Sequence, residues 1–155
     1  MRHSLTLFGG AEMGDRMTGM LPGLGRGREF RTLLYSHDTF GLGHLRRSRT
    51  IATALIEADP GCTALIVTGS PIAGRFDFPE RVDHVRLPGV VKLPDASYTS
   101  SNLRMDIDEM VSLRGAIIAT TDREFQPHLL NIDKAPWRFR QEMADSLKAA
   151  RDSGA

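Results

Sequence analysis

Leu33-Leu34-Tyr35-Ser36-His37-Asp38-Thr39-Phe40-Gly41-Leu42-Gly43-His44-Leu45-Arg46-Arg47-Ser48-Arg49 is an apolar run that passes through two glycines into a stretch of helical periodicity. Strand, glycine turn and helix in that order are the opening unit of an α/β sheet. Such a turn aims the first free N–H groups of the helix, and the positive end of its dipole, at whatever fills the mouth of the turn. That mouth suits an anion, most often a phosphate. Arg46, Arg47 and Arg49 crowd the same end, where each cation opposes the dipole by about 0.3 to 1 kcal/mol. A bound anion would reverse the sign of that cost.

Outward from this unit the same alternation continues. Thr32 to Ser36 reads as the first strand, and His44 to Ala58 as a helix with Leu45, Ser48, Ala52, Leu55 and Ile56 on one stripe. Pro60-Gly61 stops that helix. Cys62 to Thr68 is a continuous apolar run of the kind a strand buried on both faces requires. Val82 to Leu87 gives a third strand, followed by a loop to Asn102 that carries Pro88, Gly89 and Pro94. A second helix, from about Asp106 to Phe125, buries Ile107, Met110 or Val111, Ile117 or Ile118, Thr121 and Phe125. Leu129 to Asp133 is the fourth strand, and Arg140 to Asp152 a last helix. The fold class this predicts is α/β: an open parallel Rossmann-like sheet of about four strands with helices on both faces.

Residues 1–29 are rich in glycine and lack either periodicity, so they read as a disordered leader ahead of a domain spanning 30–155. The sequence ends where a fifth strand would be expected. On that reading the domain is truncated at its C-terminus, and Leu129 to Asp133 is an open edge through which the chain can self-associate.

Composition narrows the class. With 155 residues, 41% hydrophobic and 25% charged, one ordinary globular domain is the default. A net charge of +1 and 6% aromatic residues give neither the basic field nor the stacking platforms of a nucleic-acid binder. Cys62 stands alone, which excludes a disulfide framework and a cysteine-rich metal site and fits a reducing compartment. No apolar run approaches the roughly 20 residues of a membrane span. Leu5-Thr6-Leu7-Phe8 is cut off by Gly9-Gly10 before it could serve as a signal core. The expectation is a cytoplasmic protein.

Two common phosphate motifs are excluded. The dinucleotide fingerprint needs a third glycine where Arg46 stands, and an acid where the next strand ends Thr68-Gly69-Ser70. No glycine-lysine pair of a P-loop occurs. Gly23-Leu24-Gly25-Arg26-Gly27 follows no strand and belongs to the leader. Asp106-Ile107-Asp108 has two readings: a metal-binding pair, or acids placed where a helix dipole favours them.

Ligands of open parallel sheets collect beyond the C-terminal ends of the strands, where strand order reverses. His44 follows the first strand and Asp133 ends the fourth, so in the usual order the two meet there. A carboxylate that holds one imidazole nitrogen fixes its tautomer and leaves the other nitrogen to accept a proton from a hydroxyl. The plainer alternative stays open at this point: His44 caps the helix, and Asp133 caps the turn from Lys134 to Pro136. Gly41 and Gly43 either let backbone approach a ligand or supply positive φ. His37 and Asp38 reach either a substrate hydroxyl or their own turn. Trp137, the only tryptophan, reads as packing at the end of the sheet.

Ser36, His37, Asp38, Gly41, Gly43, His44 and Arg47 form Ser-His-Asp-x-x-Gly-x-Gly-His-x-x-Arg, and Asp133, Lys134 and Pro136 form Asp-Lys-x-Pro. In these two patches, within the stretch from Arg31 to Met143, the chain resembles a group of bacterial glycosyltransferases of the two-domain GT-B architecture, related to the N-acetylglucosaminyltransferase of peptidoglycan synthesis. The resemblance implies an acceptor-binding N-terminal part of an inverting glycosyltransferase. His44 and Asp133 would be catalytic, and His37, Asp38, Gly41, Gly43 and Arg47 would bind substrate. It implies a hydroxyl-bearing acceptor, either phosphate-linked or lipid-linked. It implies no cofactor or metal, only a nucleotide-sugar co-substrate held by a donor domain that this sequence does not contain. A second chain carrying that domain is then the expected partner, and the chain is expected to be inactive alone. A non-catalytic phosphate-binding module and an inert truncated product are the alternatives.

Overall fold

β-Branched and aromatic residues concentrate in Phe30–Ser36 and Cys62–Thr68, and these form the two longest strands, β2 and β3. In the computed structural model, which describes residues 4–6, 29–37, 43–95 and 97–133, they pair in parallel from Phe30 opposite Cys62 to Ser36 opposite Thr68. β1 is Ser4–Thr6, β4 is Val82–Arg86 and β7 is Leu129–Ile132; the five strands make one sheet in the order β1-β7-β2-β3-β4, parallel throughout. The fold is α/β with an open, Rossmann-like sheet.

Helix α1, Gly43–Ala58, buries Leu45, Ser48, Ala52, Leu55 and Ile56, the stripe its spacing predicts. These residues close a core with Leu34, Ile66, Ala64 and Leu129 on one face of the sheet. Helix α2, Ile107–Phe125, sits on the other face, where Ile118 packs with Leu33, Tyr35, Val67 and Leu130. Alternate residues of the same strands therefore face opposite helices, which is why the strands read as continuous apolar runs. The connections β2-α1-β3 and β4-α2-β7 run across the sheet in opposite directions, so right-handed crossovers put their helices on opposite faces. The switch point lies between β2 and β7.

Three expectations are corrected. Leu129–Ile132 is not an edge, because β1 pairs with it from Ser4 opposite Leu129 to Thr6 opposite Asn131. The fifth strand comes from the other end of the sequence, and Ser4–Thr6 belongs to the sheet rather than to a disordered leader. The three residues Ser4–Thr6 are too few to register as periodicity, and only a waiting neighbour strand makes them a strand. The loop after β4 is also more ordered than predicted. Val90–Lys92 (β5) and Tyr98–Ser100 (β6) form an antiparallel hairpin, and Val90 packs with Met110 of α2. The helix expected at Arg140 to Asp152, and Trp137, lie outside the described residues.

Both helices are closed by specific polar contacts. Asp106 accepts hydrogen bonds from the N–H groups of Asp108 and Glu109 at 2.9 and 2.8 Å, while the Glu109 carboxylate accepts from the N–H of Asp106. This capping box accounts for the Asp106-Ile107-Asp108 pattern. The end of α1 has no basic residue of its own in its last turn. Arg81, held at φ 69°, supplies the charge from outside. Its guanidinium donates to the carbonyls of Ile56, Asp59, Pro60 and Cys62 at 2.8 to 3.1 Å, satisfying a carbonyl in the last turn of α1 and three in the connection to β3.

Candidate functional site

The C-terminal edge of the sheet gathers polar side chains that are nevertheless buried. Ser36 ends β2 and His37 follows it, Thr68 ends β3 and Ser70 lies just past it, Asp133 follows β7, and Arg114 enters from α2; all are buried. Buried polar groups cost free energy unless they are hydrogen-bonded, so their collection at one edge marks that edge as more than packing.

Asp133 is fixed by its own backbone, whose N–H donates to the carbonyl of Tyr35 in β2 at 3.0 Å. Its side chain is 5% exposed and lies against the start of α1. His44 Nδ1 is 2.7 Å from Asp133 Oδ2. A carboxylate only accepts, so Nδ1 carries the hydrogen and donates it, and in the neutral ring the lone pair is then on Nε2. The His44 side chain is 38% exposed, and Asp133 is its sole hydrogen-bonding partner among the described residues. The imidazole is thus anchored on its inner nitrogen and open to solvent.

Arg47, one turn after His44 on the same helix face, donates to Asp133 Oδ1 at 3.1 Å. Sequence reasoning assigned Arg47 to an anion in the turn. The structure gives its guanidinium an internal partner first, so the two oxygens of one carboxylate hold two residues of α1. The first turn of α1 contains no acid of its own. Asp133 supplies the missing negative charge at the positive end of the helix dipole.

His37 lies beneath this pair, 3% exposed, with its Nδ1 hydrogen-bonded to the Tyr35 hydroxyl at 3.2 Å. Its pKa is lowered from 6.5 to about 4, chiefly by burial and then by the charges of Arg114 and His44, with Asp133 opposing them. His37 is neutral at pH 7. It therefore underlies the site as a hydrogen-bonding group rather than as a charge.

Gly43 is the first residue of α1, with φ outside the left-handed region and nothing within 4 Å of where a Cβ would stand. Positive φ does not explain that glycine, and the space beside it is open. Asp38 and Gly41 lie outside the described residues.

Two residues escaped the sequence reading. Arg114 is fully buried and donates to the carbonyl of Pro88 at 2.5 Å. The signal was available, since Met110, Arg114 and Ile118 repeat at four-residue spacing and an arginine in the middle of an apolar stripe must find polar partners. Ser70 is the other: its Oγ is buried and has no hydrogen-bond partner among the described residues. Its position just past the end of β3 was the available signal. Among the described residues no three His, Cys, Asp or Glu side chains are grouped to hold a metal ion, and no helix is long and apolar enough to cross a membrane.

Comparison with protein-family models, with curated proteins and with solved structures finds no match to this chain.

Proposed function

We propose that this chain is the acceptor-side part of an inverting glycosyltransferase, with His44 as general base and Asp133 as the group that orients it. The observation that carries the reading is the 2.7 Å contact between His44 Nδ1 and Asp133 Oδ2 at the switch point of the sheet. In the reaction, His44 Nε2 takes the proton of an acceptor hydroxyl as its oxygen attacks the anomeric carbon of a nucleotide-sugar. The bond from that carbon to the nucleotide's phosphate oxygen breaks, and the nucleotide leaves with the electron pair. Attack from the face opposite the leaving group inverts the centre. Asp133 holds the ring in the tautomer that keeps Nε2 free and faces the imidazolium formed on proton transfer. Arg47 keeps the carboxylate in place. The open space at Gly43, beside the partly exposed imidazole of His44, is suited to admit a hydroxyl-rich acceptor. On the resemblance of its motifs, the donor is gripped by a separate Rossmann-like domain, supplied in the same or another chain.

The test combines binding with transfer. The chain is titrated with hydroxyl-bearing acceptors, both free sugars and pyrophosphate-linked ones, by saturation-transfer NMR. It is then incubated with UDP-sugars, alone and with a GT-B donor domain. Acceptor binding at the His44 edge, and transfer that disappears in His44→Ala, support the proposal; acceptor binding elsewhere, or transfer indifferent to His44, rejects it.

A second reading, anion binding without catalysis, is favoured by the absence of any acid in the first turn of α1. Saturable phosphate binding that requires His44 and Arg47, with no transfer under any donor supply, distinguishes it.

A further inference from the structure

The three arginines that crowd the start of α1 do not share one site. Arg47 turns to Asp133, whereas Arg46 and Arg49 line a separate groove of about 550 Å³ along the outer flank of the helix. Thr50, Thr53 and Glu57 continue that flank, and Phe76, just past the 3-10 turn Ala73–Arg75, forms the other wall. Residues 44 and 46 point about 200° apart on a helix, so this groove and the His44 edge are separate surfaces. A volume of this size lies within the range of about 300 to 1,000 Å³ typical of small-molecule sites.

The chemistry of the groove is specific. Arg46 and Arg49 are three residues apart and therefore neighbours on the surface. Neither forms an ion pair among the described residues, and the Arg49 guanidinium is steadied only by the face of Phe76, 5.9 Å from its centroid. Two guanidinium forks present more N–H donors than the two oxygens of one carboxylate can arrange around themselves. A phosphate monoester, with three oxygens and nearly two negative charges at neutral pH, matches both. One turn further on, the hydroxyl of Thr50 already donates to the carbonyl of Arg46 at 3.0 Å and so offers a lone pair outward. The hydroxyl of Thr53 and the carboxylate of Glu57 follow along the same flank. These groups accept hydrogen bonds from hydroxyls, and the Glu57 charge repels a second phosphate at that end.

We infer that the groove between α1 and Phe76 is a binding site for a phosphomonoester that carries hydroxyl groups, its phosphate between Arg46 and Arg49 and its hydroxyls toward Thr53 and Glu57. The site is independent of the proposed sugar transfer and stands whether or not His44 is a base.

The full chain, labelled with nitrogen-15, is titrated with glucose 6-phosphate, inorganic phosphate and glucose while amide shifts are followed. Glucose 6-phosphate is expected to shift the amides from Arg46 to Glu57 and that of Phe76 saturably, with inorganic phosphate at least tenfold weaker and glucose silent. Arg46→Gln combined with Arg49→Gln, which removes the charge but keeps a polar, unbranched side chain on a helix flank, abolishes the shifts, and the unchanged spectrum elsewhere reports an intact fold. Glu57→Gln weakens glucose 6-phosphate but not inorganic phosphate. Arg47→Ala and His44→Ala leave the binding as it was. No saturable shift, equal response to glucose 6-phosphate and inorganic phosphate, or binding that follows Arg47 instead of Arg46 and Arg49 overturns the inference.

Discussion

Asp133 accepts from His44 through Oδ2 at 2.7 Å and from Arg47 through Oδ1 at 3.1 Å, so the acid that ends one strand ties down the first turns of a helix 86 to 89 residues earlier. The arrangement is at once a helix-dipole partner and an oriented imidazole, and kinetics separates the two. In a transfer assay with the donor domain supplied, His44→Ala and Asp133→Asn should each lower the rate about a hundredfold or more, the range for a positioned base. The double variant should be little worse than the worse single one, because the residues act as a unit. Rates that multiply, or near-normal turnover of His44→Ala, would leave Asp133 with its structural role only.

His37 ties stability to pH. Its pKa is about 4 in the folded chain against an ordinary 6.5. Between those values the unfolded state takes up a proton that the folded state refuses. Stability therefore falls as pH drops from about 6.5 toward 4, by a limit of about 3 kcal/mol below that window, and is insensitive to this group above it. Urea midpoints measured at pH 7 and pH 5 should differ in the native chain and differ much less in His37→Phe. An equal pH dependence in both would place the effect elsewhere.

The same histidine reports on its neighbours. Arg114 and His44 lower its pKa and Asp133 raises it. Arg114→Met, which keeps most of the buried volume while removing the charge, should move the His37 titration upward, and Asp133→Asn should move it further down. Ring-proton NMR titrations read both shifts directly. Movement in the same direction for the two variants would contradict this electrostatic layout.

Arg81 serves α1 from outside the helix. Arg81→Ala removes the donors to four carbonyl oxygens at the α1–β3 connection. Hydrogen bonds from a charged group contribute about 1.5 to 3 kcal/mol, and water can reach part of this cluster, so a loss of about 2 kcal/mol is expected. Thermal unfolding should show it, with Arg81→Lys recovering only part because one ammonium cannot span the same oxygens. A change near zero would mean that water replaces the guanidinium fully.

Strand β1 shields β7. Removing residues 1–28 takes away Ser4–Thr6 and exposes the N–H and C=O groups of Leu129–Ile132. Light scattering after size exclusion should find the shortened chain associating at concentrations where the full chain does not. A shortened chain that stays monomeric would show that β1 does not protect the edge.

Much of this architecture was legible in the residues. The stripe Leu45, Ser48, Ala52, Leu55 and Ile56 follows from helical spacing, and Cys62–Thr68 follows from an apolar run between Pro60-Gly61 and Gly69. The meeting of His44 with Asp133 also followed, since the doubly-wound strand order sets the strand before His44 beside the strand that leads to Asp133. These are local or topological rules that a sequence carries whole. Other features depend on what the folded chain brings near. Ser4–Thr6 is a strand only because β7 presents an unpaired edge to it, and three residues carry no pattern by themselves. Arg46, Arg47 and Arg49 look alike in sequence, yet only the position of Asp133 on one side of α1 and Phe76 on the other gives them different tasks. Arg114 became a buried cation beneath the site because α2 covers that face of the sheet. Periodicity fixes which face of an element is apolar, but the partner of each polar side chain is set by long-range packing, where charges far apart in sequence come within a few ångströms and water is excluded from between them.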